Sequence, residues 1–444
     1  MKRLVILSCI GLMTLGGLAW AQEEQEETIQ SLNQRVKELE EVVRQLKAAQ
    51  SADGQRPAPV QQVAMQAEPE GENALASLTK RVEAIEGFSI LKGIEVHGFV
   101  AADYTYNFNR PDSDKNGLIL FNEDDNTAAL NIANLRVSRS VEEGLGFLVD
   151  LDFGDSAEIV GGATRWDNDF ANDSKERGDF FELRQAYLTY RFPIGRGLTV
   201  KGGKFVTLHG AEIIKTWDNF NYNISNSILF GFAIPFTHTG LMATYPITDF
   251  LSVDLGVVNG WDNVADNNDG KTFHGGLTIT PHEMLSLYIS GSYGSEQDPR
   301  RKGGAGAGSK RSMLTTLLTF KPIDRLTFIV DHNWGNESDL LPDASGALTE
   351  SADWHGIAGY AIVDLTDKLS FALRGEWFSD MDGTRTGVDQ DLWEFTPTFA
   401  YQIREGLIAR LEYRHDESSK KFYEKESRFI SGQEVFAGEL IYAF

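Results

Sequence analysis

From Ile94 to the end of the chain, apolar and polar side chains alternate in short runs. That period of two is the mark of β-strands with unlike faces. The runs predict about sixteen strands, the first eight at 94–106, 130–140, 145–154, 180–192, 197–205, 236–245, 250–259 and 271–280. The second eight fall at 284–293, 311–320, 325–334, 353–364, 368–379, 391–402, 406–416 and 433–444. Connections alternate in length. Tight ones follow the even-numbered runs, as at Pro193–Gly195, Pro246–Asp249, Pro281–Glu283, Pro322–Asp324, Leu365–Asp367 and Ile403–Glu405. Long ones follow the odd-numbered runs, the pattern of an even-stranded membrane barrel with short periplasmic turns and longer extracellular loops. A soluble β-sandwich has no need of that alternation.

Parity assigns the two faces of the wall. Phe147, Val149, Leu151 and Phe153 share one face, as do Leu251, Val253, Leu255 and Val257, and Leu407, Ala409, Leu411 and Tyr413. Opposite them stand Arg136, Asp150, Asp152, Asp254, Arg374, Glu376, Glu394, Arg410, Glu412, Arg414 and Glu439. Charges at alternate positions are costly toward lipid, so these are expected to face the lumen. Trp354, Tyr360, Trp377, Trp393, Tyr401, Tyr442 and Phe444 are expected near strand ends, as interfacial girdles.

The stretch before residue 94 has another period. Lys2 and Arg3, an apolar run from Leu4 to Leu18 and Ala19-Trp20-Ala21 read as a signal peptide over 1–21. Ile29, Leu32, Val36, Leu39, Val43 and Leu46 form a heptad seam, so 22–50 is expected to be a self-associating coiled coil. Residues 51–73 read as a flexible linker broken by Pro57, Pro59 and Pro69, and 74–87 as a second short helix. The barrel domain then occupies 94–444. A β-branched a position with leucine at d favours two strands in isolated coils, so the arm alone leaves the oligomer number open.

Composition conceals this architecture. Hydrophobic residues make up 41% of the chain, because each membrane strand is apolar on one face only. The formal charge of −24 argues against nucleic acid as a partner. Cys9 is the only cysteine and lies in the predicted signal, which excludes disulfides and thiolate metal sites from the mature chain.

Two segments carry more specific information. The last strand ends on a terminal aromatic, with Leu440, Tyr442 and Phe444 on one face and Glu439 on the other. It resembles the signal by which the barrel-assembly machinery recognises outer-membrane barrels. The segment 206–235 is too apolar for a solvated loop, mixing Ile213, Ile214, Trp217, Phe220, Ile224 and Ile228 with Glu212, Lys215 and Asp218. It is expected to fold into the barrel and narrow it.

Gly203–Thr207 (GKFVT), Gly210–Ile214 (GAEII), Asn226–Phe230 (NSILF), Phe232–Gly240 (FAIPFTHTG) and Gly256–Asp262 (GVVNGWD) resemble the OmpL-like family of β-barrel porins. The likeness covers most of 94–444. Helical arm plus barrel also resembles phosphate-selective porins in layout, although no matching basic ladder is present. The family likeness implies passive diffusion of small polar or ionic solutes, a homo-oligomer with a trimer favoured, and contact with outer-membrane lipid and lipopolysaccharide. Opposed charges at a narrow passage select solutes by electrostatics. On that basis Glu212, Lys215 and Asp218 are expected to face Arg374, Arg410 and Arg414 across the constriction, with Arg136, Asp150, Asp152, Glu376 and Glu412 on the pore wall.

No catalytic residue, cofactor or metal is expected. The glycine-rich stretch 303–308 lacks the Gly-Lys pair of a phosphate loop. Asp262–Gly270 misplaces the ligands of a calcium loop, with Ala265 at its first position. The eight histidines show no local signature. An outer-membrane barrel enzyme and a structural envelope anchor are the rival classes, and channel conductance separates both from a porin. Arg300, Arg301, Lys302, Lys310 and Arg311 form a basic patch suited to lipopolysaccharide phosphates or to plain solvation. The tripeptide Trp-Asp-Asn recurs at 166, 217 and 261 without an evident reason.

Overall fold

The computed structural model describes residues 93–140, 144–163, 180–297, 309–342, 345 and 348–444. The signal peptide, the coiled-coil seam from Ile29 to Leu46, the linker and the second helix lie outside them, as does the glycine-rich stretch.

Sixteen strands form one closed antiparallel barrel. In chain order they begin β1 (Glu95–Asn107), β2 (Thr127–Arg139), β3 (Gly144–Phe153), β4 (Phe181–Phe192), β5 (Leu198–Val206), β6 (Thr237–Pro246), β7 (Leu251–Val258) and β8 (Thr272–His282). They continue as β9 (Leu285–Gly294), β10 (Arg311–Ile323), β11 (Leu326–Pro342), β12 (Leu348–Asp364), β13 (Leu369–Asp380), β14 (Gln390–Arg404), β15 (Leu407–Ser418) and β18 (Gly432–Ala443). The short pair β16 (Tyr423–Lys425) and β17 (Arg428–Ile430) makes a separate hairpin in the connection before β18. A helix, α1 (Asp155–Ala163), follows β3.

Every barrel strand pairs with its sequence neighbour, and β18 closes the wall against β1 with Phe99 opposite Ala443 and Ala102 opposite Leu440. Phe444 adds the last rung. Its N–H donates to the Gly98 carbonyl at 2.9 Å and its own carbonyl accepts from the Gly98 N–H at 3.0 Å. Closure leaves no unpaired edge, which is the condition for crossing a bilayer with strands.

The expected elements differ from these in three ways. β11 and β12 run well past 334 and start before 353, so their hairpin stands taller than its neighbours. α1 and the β16–β17 hairpin occupy connections that the alternation left as plain loops. Trp354 and Tyr360 are buried on the inner face rather than in a girdle, because even-numbered positions of β12 point inward. Trp393, Tyr401, Tyr442 and Phe444 are exposed on the outer face, and at the short-turn end Tyr190, Phe192 and Phe250 join them.

Gly203 shows why one strand position admits no side chain. Its φ is +135° and an added Cβ would stand 2.2 Å from the Ala186 carbonyl oxygen on β4. Gly203→Ala is therefore expected to cost about 1–3 kcal/mol through backbone strain. A lower urea midpoint for the barrel in lipid vesicles, beside an unchanged Gly359→Ala control, checks this.

Candidate pore constriction

The segment between β5 and β6 enters the barrel and contains one short turn of π-helix, Leu229–Ala233. Its backbone amides and carbonyls therefore need partners beyond a helix or strand ladder. Charged residues of the wall supply them. Glu412 accepts from the N–H groups of Ile224 and Ser225 at 2.6 and 2.9 Å. Glu376 accepts from those of Ile228 and Leu229 at 2.6 and 3.1 Å. Asp331 accepts from the Ala211 N–H at 2.8 Å. In the opposite sense, Arg410 donates to the carbonyls of Phe220, Asn221 and Asn223 at 3.0–3.2 Å. Arg414 donates to Asn226, Arg374 to Ser225 and Arg184 to Lys215, at 2.7, 2.7 and 2.5 Å.

Apolar contacts complete the seating. Ile214, Ile228, Leu229, Phe230, Ala233 and Ile234 pack against Trp354, Ala358, Tyr360, Phe378 and Leu392. Those wall residues face inward, where a water-filled barrel would carry polar side chains. Trp354 Nε1 also donates to the Ala233 carbonyl at 3.1 Å. On another sector Trp217 and Phe220 lie against Phe99, Ala101, Ile132 and Ile441, with Trp217 stacked on His97 at 3.7 Å between ring centroids.

The three charges of the loop have different surroundings. Glu212 is buried and meets Arg374 at 2.8 Å, the Tyr360 hydroxyl at 3.0 Å and the Ser227 N–H at 2.9 Å. Lys215 is buried against Glu439 at 2.7 Å. Asp218 alone faces open space, with 54% of its side chain exposed and a carboxylate oxygen 3.8 Å from Arg136. So Arg374 faces a loop acid, whereas Arg410 and Arg414 face loop carbonyls. The reason is that the loop presents more unpaired backbone than it has acids.

On the wall, Asp150 sits between Arg136 at 2.7 Å and Arg184 at 2.9 Å, and Asp152 lies 3.3 Å from Arg184. Arg374 also binds Glu394 and Arg410 binds Glu439. Arg184 was not among the expected residues, although its place on β4, two after Glu182, had the same parity signal.

Cavities lie on both sides of the loop. One of about 350 Å³ opens at the short-turn end between His97, Arg136, Tyr187, Trp217 and Asp218. A second, of about 400 Å³, runs beside Asp218, Asn219, Tyr222 and Arg410. At the long-loop end a third, of about 470 Å³, is lined by Trp261, Asp262, Glu296, Arg311, Glu337 and Arg385. Here burial pushes the Asp262 carboxyl up to about 7, against the Phe236 and Thr237 amides that it accepts. Burial, with Arg311 alongside, brings Arg385 down to about 10. Arg311 is paired with Glu337 at 2.7 Å and lies over Trp261, so it is turned to this cavity and not to a basic outer patch.

The repeated Trp-Asp-Asn splits by position. At 261 its Asp262 anchors the end of the infolded segment, and at 217 it borders the short-turn cavities. The copy at 166 lies outside the described residues.

A sealed sixteen-strand wall, a charged interior and a loop folded across the lumen define an outer-membrane porin. The chain belongs to the family described as putative beta-barrel porin-2, OmpL-like, which matches residues 93–444. It is an outer-membrane channel for passive diffusion of small polar or ionic solutes, narrowed by the loop at 206–235. No curated protein sequence matches the chain. Among solved structures it is similar to the trimer form of OmpT, an outer membrane protein of Vibrio cholerae, at 14% identity over 79% of this chain and 99% of that one, with a TM-score of 0.52. It is also similar to OprB of Pseudomonas putida, at 10% identity over 82% and 96%, with a TM-score of 0.50. The outer membrane channel DcaP of Acinetobacter baumannii matches at 14% identity over 79% and 97%, also with a TM-score of 0.50. At these identities the likeness concerns the fold.

Proposed function

We propose that solutes pass between the infolded loop and the β2–β5 side of the wall, and that Asp218 and Arg136 select them there. The exposure of Asp218 beside Arg136, on a cavity, is the observation that carries this reading. Glu212, Lys215, Arg374, Arg410, Arg414, Glu376 and Glu412 then act indirectly, by holding the loop that shapes the passage. Asp150 and Asp152 act through Arg136 and Arg184. A charge beside a narrow, partly dehydrated path favours the counter-ion. Asp218→Asn is thus expected to move the reversal potential in a potassium chloride gradient toward anion selectivity, and Arg136→Gln toward cation selectivity. Unchanged reversal potentials in both variants would place the selecting charges elsewhere.

In the same reading the short turns and residues 22–87 lie in the periplasm, after removal of 1–21. The heptad spacing from Ile29 to Leu46 supports a homo-oligomer, as does the trimer form of the Vibrio OmpT. Lipopolysaccharide surrounds the outer leaflet side, and Leu440, Tyr442 and Phe444 engage the assembly machinery before the seam closes.

A further inference from the structure

The infolded segment starts at Thr207, and its third residue, His209, meets two histidines of the wall, His238 on β6 and His274 on β8. One ring nitrogen from each lies within 4.8 Å of the other two. The ring centroids are 4.7 Å (209 to 274), 5.7 Å (238 to 274) and 6.4 Å (209 to 238) apart. All three residues are buried, with 1%, 2% and 3% exposure for His209, His238 and His274.

Hydrogen bonds fix which nitrogens carry lone pairs. His238 Nδ1 lies 3.2 Å from the Gly260 carbonyl, which only accepts, so Nδ1 carries the proton and Nε2 the lone pair. His209 Nδ1 lies 2.9 Å from Ser290 Oγ and 3.1 Å from Thr315 Oγ1. Thr315 gives its own proton to Asn333 Oδ1 at 2.6 Å, so it accepts from His209 Nδ1–H and leaves that ring's Nε2 as a lone pair. Among the described residues, His209 Nε2 and both nitrogens of His274 have no hydrogen-bond partner. Buried polar atoms of that kind are costly unless something binds them.

We propose that His209, His238 and His274 form a site for a late first-row divalent transition metal, with zinc as the type case. Three neutral imidazoles suit zinc, copper or nickel, and the absence of a carboxylate in the set disfavours calcium and magnesium. Imidazoles that give their far N–H to a carbonyl or hydroxyl are oriented as metal ligands usually are. Three protein nitrogens leave a fourth tetrahedral position, and the Thr207 hydroxyl, which donates to His238 Nε2 at 3.2 Å, would yield that lone pair to the metal. Zinc–nitrogen bonds of about 2.0–2.1 Å set nitrogens about 3.3 Å apart in a tetrahedron, so a pair within 4.8 Å has to close by at most about 1.5 Å. His274, with no hydrogen bond on its ring, is the side chain able to swing. A metal here would tie the entrance of the infolded loop to two wall strands.

The test uses tag-free mature protein refolded in detergent, once with a chelator and once with zinc, then dialysed against buffer at several zinc concentrations. Elemental analysis is expected to give one zinc per chain, and X-ray absorption three nitrogen ligands at about 2.0–2.1 Å. His274→Ala and His238→Gln, each verified as folded by heat-modifiable mobility, are expected to bind more than about 100-fold more weakly. His209→Gln alters only the loop, which keeps the test decisive if a wall variant fails to fold. No zinc in either preparation, oxygen-only ligation, or undiminished binding in the folded variants would overturn the proposal.

Discussion

Arg374→Ala is expected to free the infolded loop and produce wide, unstable conductance levels absent from the wild-type channel. The guanidinium is fully buried and joins three groups: Glu394 on the wall, and Glu212 and the Ser225 carbonyl on the loop. Removing it leaves two buried carboxylates without their cation. Breaking a buried pair from one side costs about 3–5 kcal/mol. At about 1.4 kcal/mol per tenfold, that shifts the seated-to-released equilibrium of the loop by more than about 100-fold. The wall itself keeps its ladder between β13 and its neighbours, so the barrel remains closed. Arg374→Lys retains the charge but not the fork that reaches three partners, and an intermediate phenotype is expected. Single-channel recordings in planar bilayers read both variants, and wild-type conductance and noise in Arg374→Ala would show that the loop is held by its apolar contacts alone.

Deleting Leu440–Phe444 is expected to abolish the folded barrel. These five residues supply the pairing of Ala102 with Leu440 through Phe99 with Ala443, and the two bonds between Phe444 and Gly98. Without them the N-terminal part of β1 has an unpaired edge facing lipid, at several kcal/mol for each unsatisfied group. Phe444→Ala keeps both backbone bonds and is expected to fold in vitro. Electrophoretic mobility before and after heating distinguishes the two, and a heat-modifiable, protease-resistant truncated chain would contradict the role given to this seam.

The wall was legible because its signals are local. Alternation over eight or more residues fixes which face a side chain takes, and turn residues such as those at Pro246–Asp249 and Leu365–Asp367 fix where a strand ends. That is enough to place Asp150, Arg374, Glu412 and Glu439 on the inner face. The inner apolar sector around Trp354, Ala358 and Tyr360 was not legible. Aromatic and small residues there look alike whether they face lipid or receive a loop, and only the seated segment gives them a reason to point inward.

For the infolded loop, composition revealed that it must be buried but not what would hold it. Its partners are scattered from His97 to Glu439, and many of the contacts use loop backbone, which has no sequence signature. Charges read as a pore lining therefore serve largely as caps for unpaired amides and carbonyls. The histidine triad was hidden for a related reason. Its members come from a loop and two different strands, with no spacing to mark them.

Single-channel conductance of the mature chain in planar bilayers shows whether this barrel conducts past its seated loop. Steady, ohmic open steps of one main amplitude are predicted, with rare closures. A folded, inserted barrel that passes no current would contradict it.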